Sequence, residues 1–321
     1  MRKIESFQFL RALCAICVFL NHVPFLHNTV NGQAGVALFM MIGGFFAMKS
    51  SETRKDNIFI KKIIKIVPLY WSLTLLLFIA AKFVPQLLNH TDPTITNLIK
   101  SLFFIPFEVP GAGHKPIINV GWYLNIDIMF TLIFSIATKI SHKKRGTITA
   151  IIILLLFIIG QNLQIENYII NVYTKFYIIY YFLGIIMYYI FKKYFLNIKE
   201  LSKIHQLCIA ILFTIYMFVF KYNYISLIYA CIIFIYILMI NKTTINKFVI
   251  SIGNNSFSIY LLHYFILAMS SRLIYSLESI NILSVTFTIL CFIITYFISL
   301  IVTKYTNITT KKLYRLLKIT N

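Results

Sequence analysis

Charge is what this chain of 321 residues has least of: Asp, Glu, Lys and Arg make up 12% of it, and only 9 residues are acidic. An ordinary soluble domain is about a quarter charged and about half apolar, so a chain that is 60% hydrophobic falls outside that class and reads as a polytopic membrane protein. Cysteine is sparse too. Cys14, Cys17, Cys208, Cys231 and Cys291 all lie in apolar runs, where a thiol acts as a small hydrophobe, so no disulfide is expected. The C-x-x-C of Cys14 and Cys17 has neither the further ligands nor the soluble redox fold that a metal or redox motif needs, and no metal site is expected. No small-residue cleavage site follows the first apolar run, and Arg11 interrupts it, so that run is expected to remain as a span. Internal repeats are absent to inspection, and most linkers are too short to hold a second domain.

What is present is a series of apolar runs, near residues 6–25, 33–49, 66–84, 117–138, 147–164, 168–191, 205–220, 223–241, 248–271 and 281–303. They predict an all-α membrane helix bundle of about ten transmembrane helices. Basic residues gather at every second junction: Arg2 and Lys3, then Lys49 to Lys65, Lys139 to Arg145, Lys192 to Lys203, Lys242 and Lys247, and Lys304 to Lys318. The alternate loops hold only Lys82, Lys100, Lys115, Lys221 and Arg272. That alternation predicts cytoplasmic N- and C-termini and places Lys55, Lys144 and Lys199 inside, with Asn28, Asp92 and Asn281 outside. It also accounts for the net charge of +21 through topology and contact with membrane lipid headgroups, leaving nothing to support a nucleic-acid partner.

The first run, Phe7 to Phe25, carries Arg11 and His22, and ionisable groups inside a membrane are costly enough to suggest function. Eleven positions of helix bring the two within roughly 20° of one face and set them about 16 Å apart. A permanent cation at one depth and a titratable base at another suit a long, thin acyl carrier. Lys62 and Lys65, at i,i+3 spacing ahead of the third long run, are expected to join Arg11 in a cytoplasmic anion site, although such lysines also serve as plain topology markers. Asp127 should lie about 12–15 Å in from the outer side, and His263 about 20 Å across from the cytoplasm. A carboxylate there is either protonated or paired, and contact between Asp127 and His22 or His263 is expected, a structural hydrogen bond to a neighbouring helix being the alternative. Lys175 is expected to snorkel to the outer interface.

Several blocks, taken in order, resemble the acyltransferase family 3 membrane proteins, integral-membrane O-acyltransferases of bacterial surface polysaccharides. They are Phe9 to Ala12 followed by His22; GQAGVALFMMIGGF from Gly32 to Phe45; KIVPLYW from Lys65 to Trp71; Trp122, Leu124, Asp127 and Phe130; YYFLG from Tyr180 to Gly184; and SFSIYLLH from Ser256 to His263. The resemblance spans nearly the whole chain. Three departures stand out: lysines at 62 and 65 where the family usually has arginines, Asp127 for a glutamate, and Gly43 for a serine. A lysine holds phosphate as a point charge, without the arginine fork.

The resemblance implies a single membrane acyltransferase domain over residues 1–321 in a bacterial cytoplasmic membrane, with no permanently bound cofactor. Acyl-CoA, expected to be acetyl-CoA, would be the donor, and an extracytoplasmic glycan or lipid-linked glycan the acceptor. Arg11, Lys62 and Lys65 would hold the donor phosphates. His22 would be general base, or an acylated nucleophile, with Asp127 orienting it; Trp122 and Tyr260 would line the acceptor side with His263. The loop of residues 85–116 reads as a lid or as an interfacial anchor, and residues 304–321 read as a basic cytoplasmic tail. A glycan transporter or flippase is the competing class, but the paired broken helices that mark transporter repeats are not found. A silent scaffold would make the buried charges expensive.

Overall fold

The computed structural model describes residues 5–319 apart from 28, 54–55, 85–91, 110–112, 115, 196–203, 241–244 and 272–280. Asn28, Lys55, Lys199 and residues 85–91 of the expected lid therefore lie outside the described residues, as do Arg2, Lys3, Arg54, Lys115, Lys203, Lys242 and Arg272. The described chain is an all-α membrane helix bundle. Its helices in order are α1 (Glu5–Asn21), α2 (Gln33–Ser50), α3 (Ile58–Phe83), α4 (Ile95–Leu102), α5 (Trp122–Ile140), α6 (Arg145–Asn162), α7 (Tyr168–Thr174), α8 (Ile179–Ile190), α9 (Ile204–Val219), α10 (Tyr224–Met239), α11 (Lys247–Asn254), α12 (Ser256–Ser271) and α13 (Ile282–Leu316). A two-residue hairpin, β1 (Glu108–Val109) and β2 (Gly113–His114), is the sole strand pairing among the described residues. Six helical stretches are long and apolar enough to cross a membrane: Gln33–Ser50, Ile58–Phe83, Asn119–Ile140, Arg145–Asn162, Phe176–Phe195 and Ile282–Leu316.

Local chemistry explains where the helices depart from the apolar runs. The first helix stops at Asn21, because Pro24 has no N–H to continue the ladder and pushes Val23 to an extended backbone, with ψ 125°. Two runs expected as single spans are each broken. One parts at Lys175, an exposed residue between α7 and a short turn of tight helix at Phe176–Ile178; the other parts at Asn255, between α11 and α12. The basic stretch expected as a tail instead continues α13 to Leu316.

The helices sort into two compact units, Met1–Lys49 with Tyr180–Ser299, and Ser50–Ile179 with Leu300–Asn321. In the first unit α1 packs against α9, α10, α11 and α12. Its neighbours α2 and α8 cross at two glycines: a Cβ at Gly44 would come 2.2 Å from the Tyr181 carbonyl oxygen, and one at Gly184 would come 2.1 Å from that of Met41. No side chain fits at either position. Phe7, Phe45 and Phe234 fill the adjacent core, with Phe7 stacked on Phe45 at 4.7 Å between ring centroids.

In the second unit α3 packs on α4 and α5, α5 on α6, and α6 on α7. The segment after α4 folds back onto the middle of α3: Trp71 Nε1–H donates to the Leu102 carbonyl at 2.9 Å, and Phe104 stacks on Tyr70 at 4.9 Å. Thr94 caps α4 by accepting from the Asn97 N–H. On the other side of the unit, Arg145, counted from sequence as a topology marker, is buried and donates from Nε to Ser51 Oγ at 2.6 Å, while His142 Nε2 meets the Ser51 carbonyl at 2.7 Å. The end of α13 is fastened as well. Pro68 leaves the Ile64 carbonyl without its helical donor, and Thr310 Oγ1 reaches that oxygen at 3.4 Å; Tyr314 donates its hydroxyl to the Lys61 carbonyl at 3.2 Å.

Candidate active site

The first unit holds the two histidines. Beyond Asn21 the chain tightens, so that the His22 backbone N–H bonds to Phe19 O at 3.1 Å rather than to Val18 O. Side chains commonly satisfy the carbonyls left over at a helix end. Here the His22 side chain does so, its Nδ1 lying 2.9 Å from Val18 O. Proline-induced termination of α1 thus aims the ring. His22 is half-buried, with the Tyr264 ring edge-on to it at 5.7 Å.

His263 is fully buried on α12 and comes to His22 across the unit, its Nε2 3.3 Å from His22 Nδ1. Its own Nδ1 lies 3.1 Å from Ile259 O. A carbonyl can only accept, which assigns the ring protons: both rings carry hydrogen on Nδ1 and a lone pair on Nε2. His263 Nε2 is then a second, longer acceptor for the His22 Nδ1–H. His22 Nε2 has no protein partner among the described residues and is an available base. Phe19, Val23, Leu267 and Cys291 form an apolar layer beside the pair.

Arg11 is half-buried on α1, its guanidinium 5.4 Å from the centroid of Phe46. Such stacking suits a planar cation in an apolar setting. Tyr260 is buried one turn before His263, with ring centroids 6.1 Å apart.

The second unit holds a partly buried ion pair. Asp127, 5% exposed on α5, was expected beside a histidine; within its own unit its ionic partner is Lys62, whose Nζ lies 2.7 Å from Oδ2. The depths read from sequence are corrected by that contact. They set Lys62 at the cytoplasmic mouth and Asp127 in the outer half, yet the two share a level. The cause is the infolded segment before Gly121. Gly121 sits against the ring of Tyr70, where an added Cβ would come within 2.9 Å, so α5 starts opposite the middle of α3. From that contact Lys62 is about 12 Å back along α3 and Asp127 about 9 Å along α5, which runs the other way. Lys65, one turn from Lys62, is exposed, and Trp122 at the head of α5 packs its ring 5.6 Å from Tyr177.

The structure thus gathers His22, His263 and Tyr260 in one unit and Lys62 with Asp127 in the other. Sequence reasoning missed Tyr264, Thr310 and Tyr314, which carry no motif: an aromatic or hydroxyl residue in an apolar helix looks the same whether it faces lipid or a partner.

Comparison with known proteins places this geometry. The family model described as an acyltransferase domain, of the acyltransferase 3 type, matches residues 4–304. The chain is similar to the exopolysaccharide production protein ExoZ of Rhizobium meliloti (strain 1021), 27% identical over 153 residues, which cover 46% of this chain and 48% of that protein. The chain spans about half the length of the curated relative it matches. No solved structure matches it. With the family model covering nearly all of its length, from the N-terminal side of α1 into α13, the chain belongs to the acyltransferase family 3 membrane proteins.

Proposed function

We propose that the chain is a membrane O-acyltransferase that takes an acyl group from cytoplasmic acyl-CoA, with acetyl-CoA the expected donor, and passes it to a hydroxyl of a glycan or glycolipid outside the bacterial cytoplasmic membrane. The observation that carries this reading is the imidazole of His22, whose Nδ1 is engaged by Val18 O and His263 and whose Nε2 has no partner among the described residues, within a chain of this family. The name of the exopolysaccharide production relative supports a glycan acceptor.

In this reading His22 Nε2 removes the proton from the acceptor hydroxyl as the oxygen attacks the thioester carbonyl carbon. The carbon–sulfur bond breaks, and the departing CoA thiolate takes that proton back. A general base needs its second ring nitrogen held, and a donor bond from Nδ1 stabilises the cation that forms in passing. Val18 O accepts that bond, with His263 Nε2 as a second, longer acceptor, and Tyr260 and Trp122 are proposed to line the acceptor side. Arg11, Lys62 and Lys65 are the cations proposed to engage the donor's phosphates.

His22→Gln keeps size and hydrogen bonding but removes the base. Acetyl-CoA binding to the purified protein should persist, while the one-acyl mass gain on surface glycans disappears and transfer falls by roughly 10²–10⁴-fold. Near-normal transfer would overturn the mechanism, and loss of the whole polymer rather than of its acyl group would favour export.

A further inference from the structure

We propose that Asp127 is the positioning counter-ion of Lys62 and acts on donor affinity, through the lysine, rather than on the base. The inference rests on the donor reading above. Its basis is the 2.7 Å contact between Lys62 Nζ and Asp127 Oδ2, with the carboxylate buried at 5% exposure and the lysine side chain 32% exposed. An ammonium has three N–H donors, and one is enough for Asp127 Oδ2. Two remain for an anion arriving from the exposed side.

The arrangement addresses the weakness of a lysine at this position. Its long stem has many rotamers, and a point charge lacks the bidentate geometry that an arginine offers a phosphate. A buried carboxylate on the facing helix removes most of that freedom in advance, so less order is lost when the phosphate binds. It fixes the ammonium about 9 Å along α5 from Gly121 and about 12 Å back along α3 from Tyr70, a separation held by the close approach of those two residues. Lys65 follows at i+3 as the exposed second cation. Asp127 also limits attraction: it cancels one charge, so an anion that cannot use the remaining N–H donors gains little there. The pair should therefore select for a ligand with phosphate oxygens rather than for negative charge in general.

The test titrates acetyl-CoA and CoA into purified full-length variants and measures acyl transfer in membranes carrying the native acceptor. Asp127→Asn should weaken donor binding about five- to tenfold and steepen its dependence on salt, while the rate at saturating donor stays within about twofold. Asp127→Glu should restore the affinity. Lys62→Gln and Lys62→Gln with Asp127→Asn should bind alike, because removing the lysine leaves Asp127 nothing to position; the double variant carries no stranded charge and guards against misfolding. Weakened binding in Lys62→Gln with unchanged binding in Asp127→Asn would overturn this inference alone. A fall in the saturating rate at unchanged donor affinity in Asp127→Asn would return the carboxylate to the base and overturn it too. Unchanged binding in Lys62→Gln would overturn the donor assignment, and the inference with it.

Discussion

Two polar pairs of this protein, His22 with His263 and Lys62 with Asp127, solve the same problem by opposite means. His22 and His263 are neutral rings whose protons are directed by carbonyls of their own helices, Val18 O and Ile259 O, with a single 3.3 Å contact joining them. Lys62 and Asp127 are full charges, and each neutralises the other across helices. A neutral pair survives among Phe19, Val23 and Leu267 because nothing charged is buried at rest. A charged pair survives because neither member is alone. The lesson is functional: the first arrangement keeps a lone pair available for a proton, and the second keeps a cation in place for an anion.

Halving each pair should separate the two designs. The largest stability effect is expected for Lys62→Met, which strands the Asp127 carboxylate; breaking a buried pair costs about 3–5 kcal/mol, and the low end applies because the lysine is one-third exposed. Adding Asp127→Leu should recover most of that loss, read as thermal unfolding in detergent. Failure of the second change to rescue the first would mean that the pair is not the source of the cost.

A smaller effect is expected from His263→Leu. The His22 Nδ1–H keeps Val18 O, so the ring stays aimed and only the second acceptor is lost. One hydrogen bond is worth about 1 kcal/mol, so transfer should fall about fivefold, with donor affinity unchanged. His263→Asn, which retains an acceptor oxygen, should recover part of the rate; equal damage from both changes would point to packing instead.

The smallest expected change comes from Tyr314→Phe, which removes the hydroxyl that reaches the Lys61 carbonyl beside the charged pair. Loss of that half-exposed bond should weaken acetyl-CoA binding by about two- to fivefold through a looser start of α3, without altering transfer at saturating donor. An unaltered binding isotherm would confine the hydroxyl to a structural role.

Much of the fold was legible because lipid demands long apolar helices whose backbone groups bond internally, and every expected run falls on helix among the described residues. Breaks within runs were not, because Lys175 and Asn255 are polar interruptions too brief to end an apolar run in the sequence. Gly44 and Gly184 lie in the quoted motif blocks, but which glycine meets which carbonyl depends on the crossing of α2 and α8.

What the sequence determined by itself was class and inventory: a membrane helix bundle, a basic topology pattern, and the few ionisable residues that apolar surroundings make expensive enough to matter. Arg11, His22, Lys62, Lys65, Asp127 and His263 were all visible as residues out of place. Tertiary structure decided the partners. A buried charge must be balanced, but hydropathy carries no information about which distant helix supplies the balancing group. Only the infolding of the segment before Gly121, which sets the start of α5 against the middle of α3, brings Asp127 level with Lys62.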